Sequence, residues 1–194
     1  MKKFLTLIFL LNFSLSNAYS LQPDIFVQST VNRASEILSK NISKEEKMNA
    51  LRTIAKETVD IEGIGFYSLG SARKNLNDNE KKIYFDLFEN YFLKSFSSRL
   101  SEYTNPKINV EGKKVINENY TIVNSLLIST PDRPQVKIDW RIYTKNPDEP
   151  LIRDLIIEGL SLARTQKEEF ASILSSNEAN INALFKTLEN FTKD

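Results

Sequence analysis

The chain of 194 residues predicts an α+β fold: N-terminal helices, an antiparallel sheet of about four strands, then C-terminal helices. Three observations predict it. As far as Pro106 the apolar residues recur at threes and fours, the helical period. From Lys107 to Ile157 they alternate in short runs separated by Asn, Pro, Gly and Asp clusters, as expected of antiparallel neighbours. Past Ser161 the helical spacing returns, in Leu162, Gln166, Glu169 and Phe170.

The first residues carry an address. Lys2 and Lys3 precede the apolar run Phe4–Leu15, and Ser16-Asn17-Ala18 supplies small residues for cleavage. The run is shorter than the roughly 20 residues that a bilayer span needs. This predicts a signal peptide at 1–18 and one exported domain at 19–194. Cleavage removes two lysines and no acid, turning the formal charge of +1 into −1. A near-neutral chain lacks the clustered positive face that a nucleic-acid partner requires. There is no cysteine, so the 12 Phe and the many Ile and Leu must form a core without disulfides.

In the helical part, Val27, Val31, Ala34 and Leu38 mark one helix over 22–40, with Pro23 in its first turn. Ser43 and Glu46 form a capping-box pattern that opens a second. Asp60 caps a short third, which Gly70 stops. Asn77 with Glu80 opens the longest, over 78–103, whose Phe85, Phe88, Phe92 and Phe96 form one stripe widened by Tyr84 and Tyr91. Strands follow at 107–116, 120–130 and 134–145. In the last, Val136, Ile138, Trp140 and Ile142 share a buried face, and Lys137, Asp139, Arg141 and Tyr143 a wet one. The fourth strand, Leu151–Ile157, sets Leu151, Arg153, Leu155 and Ile157 against Ile152, Asp154 and Ile156. Asp154 among isoleucines needs a partner. The strand bends at Gly159 into a helix, and a last helix is expected near 178–191.

Much chemistry is excluded. Without histidine or cysteine there is no imidazole or thiolate metal site and no triad with an imidazole base. Gly159-Leu160-Ser161-Leu162-Ala163 has the outline of a nucleophile elbow, for which Lys167 is the nearest base. The alternative is that Ser161 caps a helix. The apolar stripes leave two readings open: a filled core, or the wall of a cavity for an apolar ligand.

The segment from Asp154 to Leu162, DLIIEGLSL, resembles the Asp-x-x-x-Glu-Gly-Val-Ser-Leu segment of the MlaC (toluene-tolerance) family of phospholipid-binding proteins. Lys167 stands where the family usually has Arg, and Phe170 where it has an aromatic. Asp60, Ile61 and Glu62 through Leu69 and Gly70, then Asn79, Glu80, Phe85, Phe88 and Leu100, are similar to the family's upstream run. Val27–Thr30 resembles its opening helix. The chain departs from the pattern near Arg73 and Pro150, where Trp is frequent.

The resemblance implies a non-enzymatic periplasmic carrier of the Mla pathway, with an apolar cavity between sheet and helices and bound phospholipid as its only cargo, no cofactor and no metal. It implies exchange with an outer-membrane MlaA–porin complex and an inner-membrane ABC complex (MlaFEDB), which maintains outer-membrane asymmetry. Within that frame the face patterns nominate Phe85, Phe88, Phe92, Trp140, Ile142, Leu155 and Ile157 as lipid-binding. Asp154, Glu158, Gly159 and Ser161 carry the family motif. A hydrolase working through carboxylates or Ser161, and a ligandless envelope adaptor, are the competing readings.

Overall fold

Capping chemistry sets where the helices begin. Helix α1 (Pro23–Ser39) starts on the proline, whose fixed φ suits a first turn. Before α2 (Lys44–Thr58), Ser43 Oγ accepts from the Glu46 amide at 3.2 Å, and the Glu46 carboxylate accepts from the Ser43 amide at 2.9 Å. Asp60 caps α3 (Ile61–Ser68) by accepting from the Gly63 amide at 2.8 Å. A 3-10 turn at Ala72–Lys74 leads to a second capping box, Asn77 with Glu80, which opens α4 (Asp78–Leu100).

The computed structural model describes residues 21–193, and the expected signal peptide at 1–18 lies outside them. Helix α4 ends at Leu100 rather than 103, where Tyr103 N–H closes a last tight turn onto the Leu100 carbonyl at 3.0 Å. Helix α5 (Leu162–Ser175) is followed by α6 (Ile181–Lys193), three residues later than the spacing predicts. Glu178 and Ala179 are left-handed, at φ 54° and 59°. The Ala179 amide turns back to donate to the Leu174 carbonyl at 2.8 Å, so those residues finish α5 instead of starting α6.

The sheet is an antiparallel meander of β1 (Ile108–Asn117), β2 (Tyr120–Leu127), β3 (Val136–Tyr143) and β4 (Leu151–Ile157), in that order. A fifth strand beyond the expected four, β5 (Leu160–Ser161), completes it. Glu158 (φ 49°) and Gly159 (φ 85°) form the two-residue turn between β4 and β5. Positive φ at both central positions is the geometry that matches the twist of paired strands, and glycine adopts it at least cost.

One face assignment is corrected. In β4, Trp140 pairs with Leu155 and Arg141 with Asp154, but Ile142 pairs with Ile152, leaving Arg153 as a bulge. The extra residue reverses the alternation, so Ile152 joins Leu155 and Ile157 on the inner face. Asp154 stays on the opposite face beside Arg141.

Helix α1 lies against β1 and β2, while α3 and α5 approach β4. Helix α4 packs chiefly on α2, α6 and α3, and its Phe85, Phe92 and Phe96 join the same apolar core as Leu127, Val136 and Leu155 of the sheet. Two hollows of about 410 and 400 Å³ lie on the surface, one along α1 (Ile25, Gln28, Asn32), the other beside Val59–Glu62.

Candidate functional site

Half-buried apolar side chains of both the sheet and α4 pack against the one buried core. On the sheet side, Leu127, Val136, Leu155 and Ile157 are half-buried. On α4, Phe85, Phe92 and Phe96 are half-buried too, and the Phe92 and Phe96 rings stack at 5.7 Å with an interplanar angle of 10°. Trp140 is buried, at 8 % exposure. Its indole N–H donates to Ser125 Oγ at 2.8 Å, and that hydroxyl donates to the Ile138 carbonyl at 3.0 Å. The Trp140 and Ser125 polar groups are therefore both satisfied within the sheet.

The residues nominated as lipid-binding divide. Phe85, Phe92, Leu155 and Ile157 are half-buried and Trp140 is buried. Phe88 and Ile142 are fully buried. Phe88 packs into the helical layer, edge-on to Phe170 of α5 at 6.1 Å and stacked with Tyr84 at 5.7 Å. Gly65 of α3 makes room for it: a Cβ there would stand 2.7 Å from the Phe88 ring. Tyr84 donates to the Gly65 carbonyl at 2.9 Å, and burial pushes its hydroxyl pKa up. The single stripe read from the sequence is thus two faces, one turned to α3 and α5 and one to the sheet.

The family-motif residues build an anchor. Asp154 is 3 % exposed, accepting from Ser161 Oγ at 2.6 Å and from the Ala163 amide at 3.0 Å, with Arg141 at 3.8 Å. A carboxylate at the start of α5 satisfies an otherwise unpaired amide and favours the helix dipole. Ser161 Oγ also accepts from the Arg164 amide at 3.0 Å, so it is the N-cap. Lys167 lies over the Tyr67 ring at 5.1 Å, engaged on α3 rather than as a base for Ser161. The Glu158 carboxylate accepts from the Lys137 amide at 2.5 Å, tying the turn back to β3.

Sequence reasoning missed a second anchor. Bulging turns Arg153 towards Asp60, to which its Nε donates at 2.5 Å, and towards the Tyr120 hydroxyl at 2.8 Å, with the Tyr143 ring 4.0 Å away. Burial works against its charge, but the Asp60 and Tyr120 bonds prevail and hold its pKa above the ordinary value. The signal was present in Arg153 interrupting an apolar strand, with Asp60 as an acid at a helix start. On the wet face Lys137 pairs with Asp139 at 3.3 Å.

Among the described residues no three His, Cys, Asp or Glu side chains are placed to hold a metal ion, and no helix is long and apolar enough to cross a membrane. The site sets half-buried hydrocarbon of an antiparallel sheet beside that of a helix fastened to other helices. That defines a fold class of helix-backed meanders with an apolar seam. Its architecture matches a solved phospholipid-binding protein from Ralstonia solanacearum, in complex with a phospholipid, at a TM-score of 0.76 and 15 % identity, over 89 % of this chain and 98 % of that one. The family model described as MlaC protein matches residues 28–190, and the chain belongs to the MlaC family. A relative from Haemophilus influenzae, the intermembrane phospholipid transport system binding protein MlaC, is 24 % identical over 175 residues, covering 86 % of this chain and 80 % of that protein.

Proposed function

We propose that this protein is a periplasmic carrier that sequesters the acyl chains of a phospholipid and shuttles it between outer and inner membranes. The observation that carries the reading is the half-buried hydrocarbon that both α4 and the sheet set against one core, in a chain of the MlaC family. Each buried methylene is worth about 0.8 kcal/mol, so two acyl chains of some 30 carbons resist the aqueous phase by roughly 20 kcal/mol. A wall that exchanges bilayer contacts for protein contacts makes transfer nearly even. Direction then comes from the partners.

Loading requires the seam to part. Helix α4 is fastened to α2, α3 and α6, so the sheet and the face bearing Phe92 and Phe96 separate while the helical layer stays together. Phe85, Phe92, Trp140, Leu155 and Ile157 line the proposed pocket; Phe88 and Ile142 back it. Residues 1–18 serve as the export signal, 19–194 as the carrier domain, and the MlaA–porin and MlaFEDB complexes are its docking partners. The test is solvent extraction of protein purified from its native compartment, followed by mass spectrometry. Diacyl phospholipid near one per chain is expected, and folded protein that is consistently lipid-free overturns the reading.

A further inference from the structure

The two ends of the seam are built differently. At one end the inner face of the sheet is closed: Thr121, Val123, Ile142 and Ile152 are 0–5 % exposed. The register then runs through Trp140 and Leu155 to Leu127, Val136 and Ile157, which stay half-buried at the other end. Helix α4 reaches its C-terminus at that same end, since Leu100 is followed within eight residues by Ile108 of β1. Tyr103 lies just past that end of α4, held by its N–H bond to the Leu100 carbonyl.

Across this loosely covered end lies one contact. The β2–β3 connection is a tight turn in which Thr130 N–H donates to the Arg133 carbonyl at 2.9 Å, and Arg133 N–H to the Thr130 carbonyl at 3.2 Å. It holds the Arg133 guanidinium 4.5 Å from the centre of the Tyr103 ring. Arg133 has no ion pair among the described residues, whereas nearby Lys137 already has Asp139. An aromatic face attracts the cation without neutralising it, and leaves the in-plane N–H groups free.

Resting on the carrier reading, we propose that this end is the mouth of the seam and that Arg133, positioned by Tyr103, takes the phosphate diester of the cargo's head group. A guanidinium suits that anion because its planar fork matches two phosphate oxygens at once. Free phosphate shares the chemistry but lacks tails to hold it, and one exposed arginine gives it little grip.

The test loads full-length protein from vesicles containing dioleoyl-phosphatidylglycerol or dioleoylglycerol, which has the same tails and no phosphate, for wild type, Arg133→Ala and Arg133→Lys. Wild type should prefer the phospholipid by about tenfold, as a charge-assisted contact warrants. Arg133→Ala should bring the preference near parity with dioleoylglycerol uptake unchanged, and Arg133→Lys should recover part of it. Arg133→Ala with undiminished preference overturns the head-group assignment while leaving the carrier reading intact. Wild type that takes up neither lipid overturns both. Millimolar inorganic phosphate that displaces phosphatidylglycerol from wild type also overturns the proposal, as it makes the site one for the free ion.

Discussion

The two sides of α4 use the same amino acids for opposite ends. Tyr84, Phe88 and Tyr91 interlock with Phe170, Gly65 and Phe191, ring against ring at 4.8–6.5 Å. Phe85, Phe92 and Phe96, on the adjoining side, meet the sheet across a half-buried seam. The first side is fastened by residues that nothing else can replace in shape. The second is left half-buried. An aromatic stripe therefore reports apolar surroundings, and only its partners decide between core and pocket.

Substitutions on the two sides should separate stability from loading. Phe88→Ala should cost the most, about 4 kcal/mol by urea denaturation, because rigid neighbours cannot collapse into the space it leaves. Asp154→Ala should cost about 3 kcal/mol, since it strands the buried Ala163 amide and frees the start of α5, which carries Phe170 into the cluster. If it cost nothing, the anchor would not be what holds the interlocked side. Tyr84→Phe should cost about 1 kcal/mol, leaving the Gly65 carbonyl only the Leu69 amide, at 3.2 Å, of its two donors. Phe92→Ala, half-buried, should cost also about 1 kcal/mol yet reduce the lipid recovered per folded chain, whereas chains carrying Tyr84→Phe keep their lipid. Equal lipid loss in both would erase the distinction between the two sides.

The smallest effect lies far from α4. Asp24 accepts from Lys113 Nζ at 2.6 Å, and this bond, ahead of the opposing effect of burial, lowers its pKa. A carboxylate with a depressed folded pKa adds stability above its ordinary value, and loses that stability as pH falls through the folded one. Asp24→Asn should thus cost about 0.5 kcal/mol at neutral pH, with the difference from wild type vanishing in acid.

Local chemistry made most of the fold legible. The Ser43–Glu46 and Asn77–Glu80 boxes, the Asp60 and Ser161 caps and the alternation of Val136–Ile142 all act within a few residues. What escaped depends on pairing across the sheet. The Arg153 bulge arises because Asp60, 93 residues earlier, draws the guanidinium towards α3. The fifth strand is only two residues long, below what an alternation pattern can reveal. Of the candidate site, the residue types were readable but the division of the α4 stripe was not, because Gly65 and Phe170 select one side of it only in three dimensions.

The order of the sheet leaves β1 at a margin, with Val115 68 % and Ile116 51 % exposed. Such a strand is a template on which a second molecule can add, the first step toward a fibre. Here the strand is irregular at two places, between Val110 and Gly112 and between Val115 and Asn117, and Lys113 and Lys114 stand between them. Gln28 of α1 also accepts from the Val110 amide at 3.3 Å. Kinks and like charges deny an incoming strand a straight ladder, which guards this margin against strand-by-strand addition.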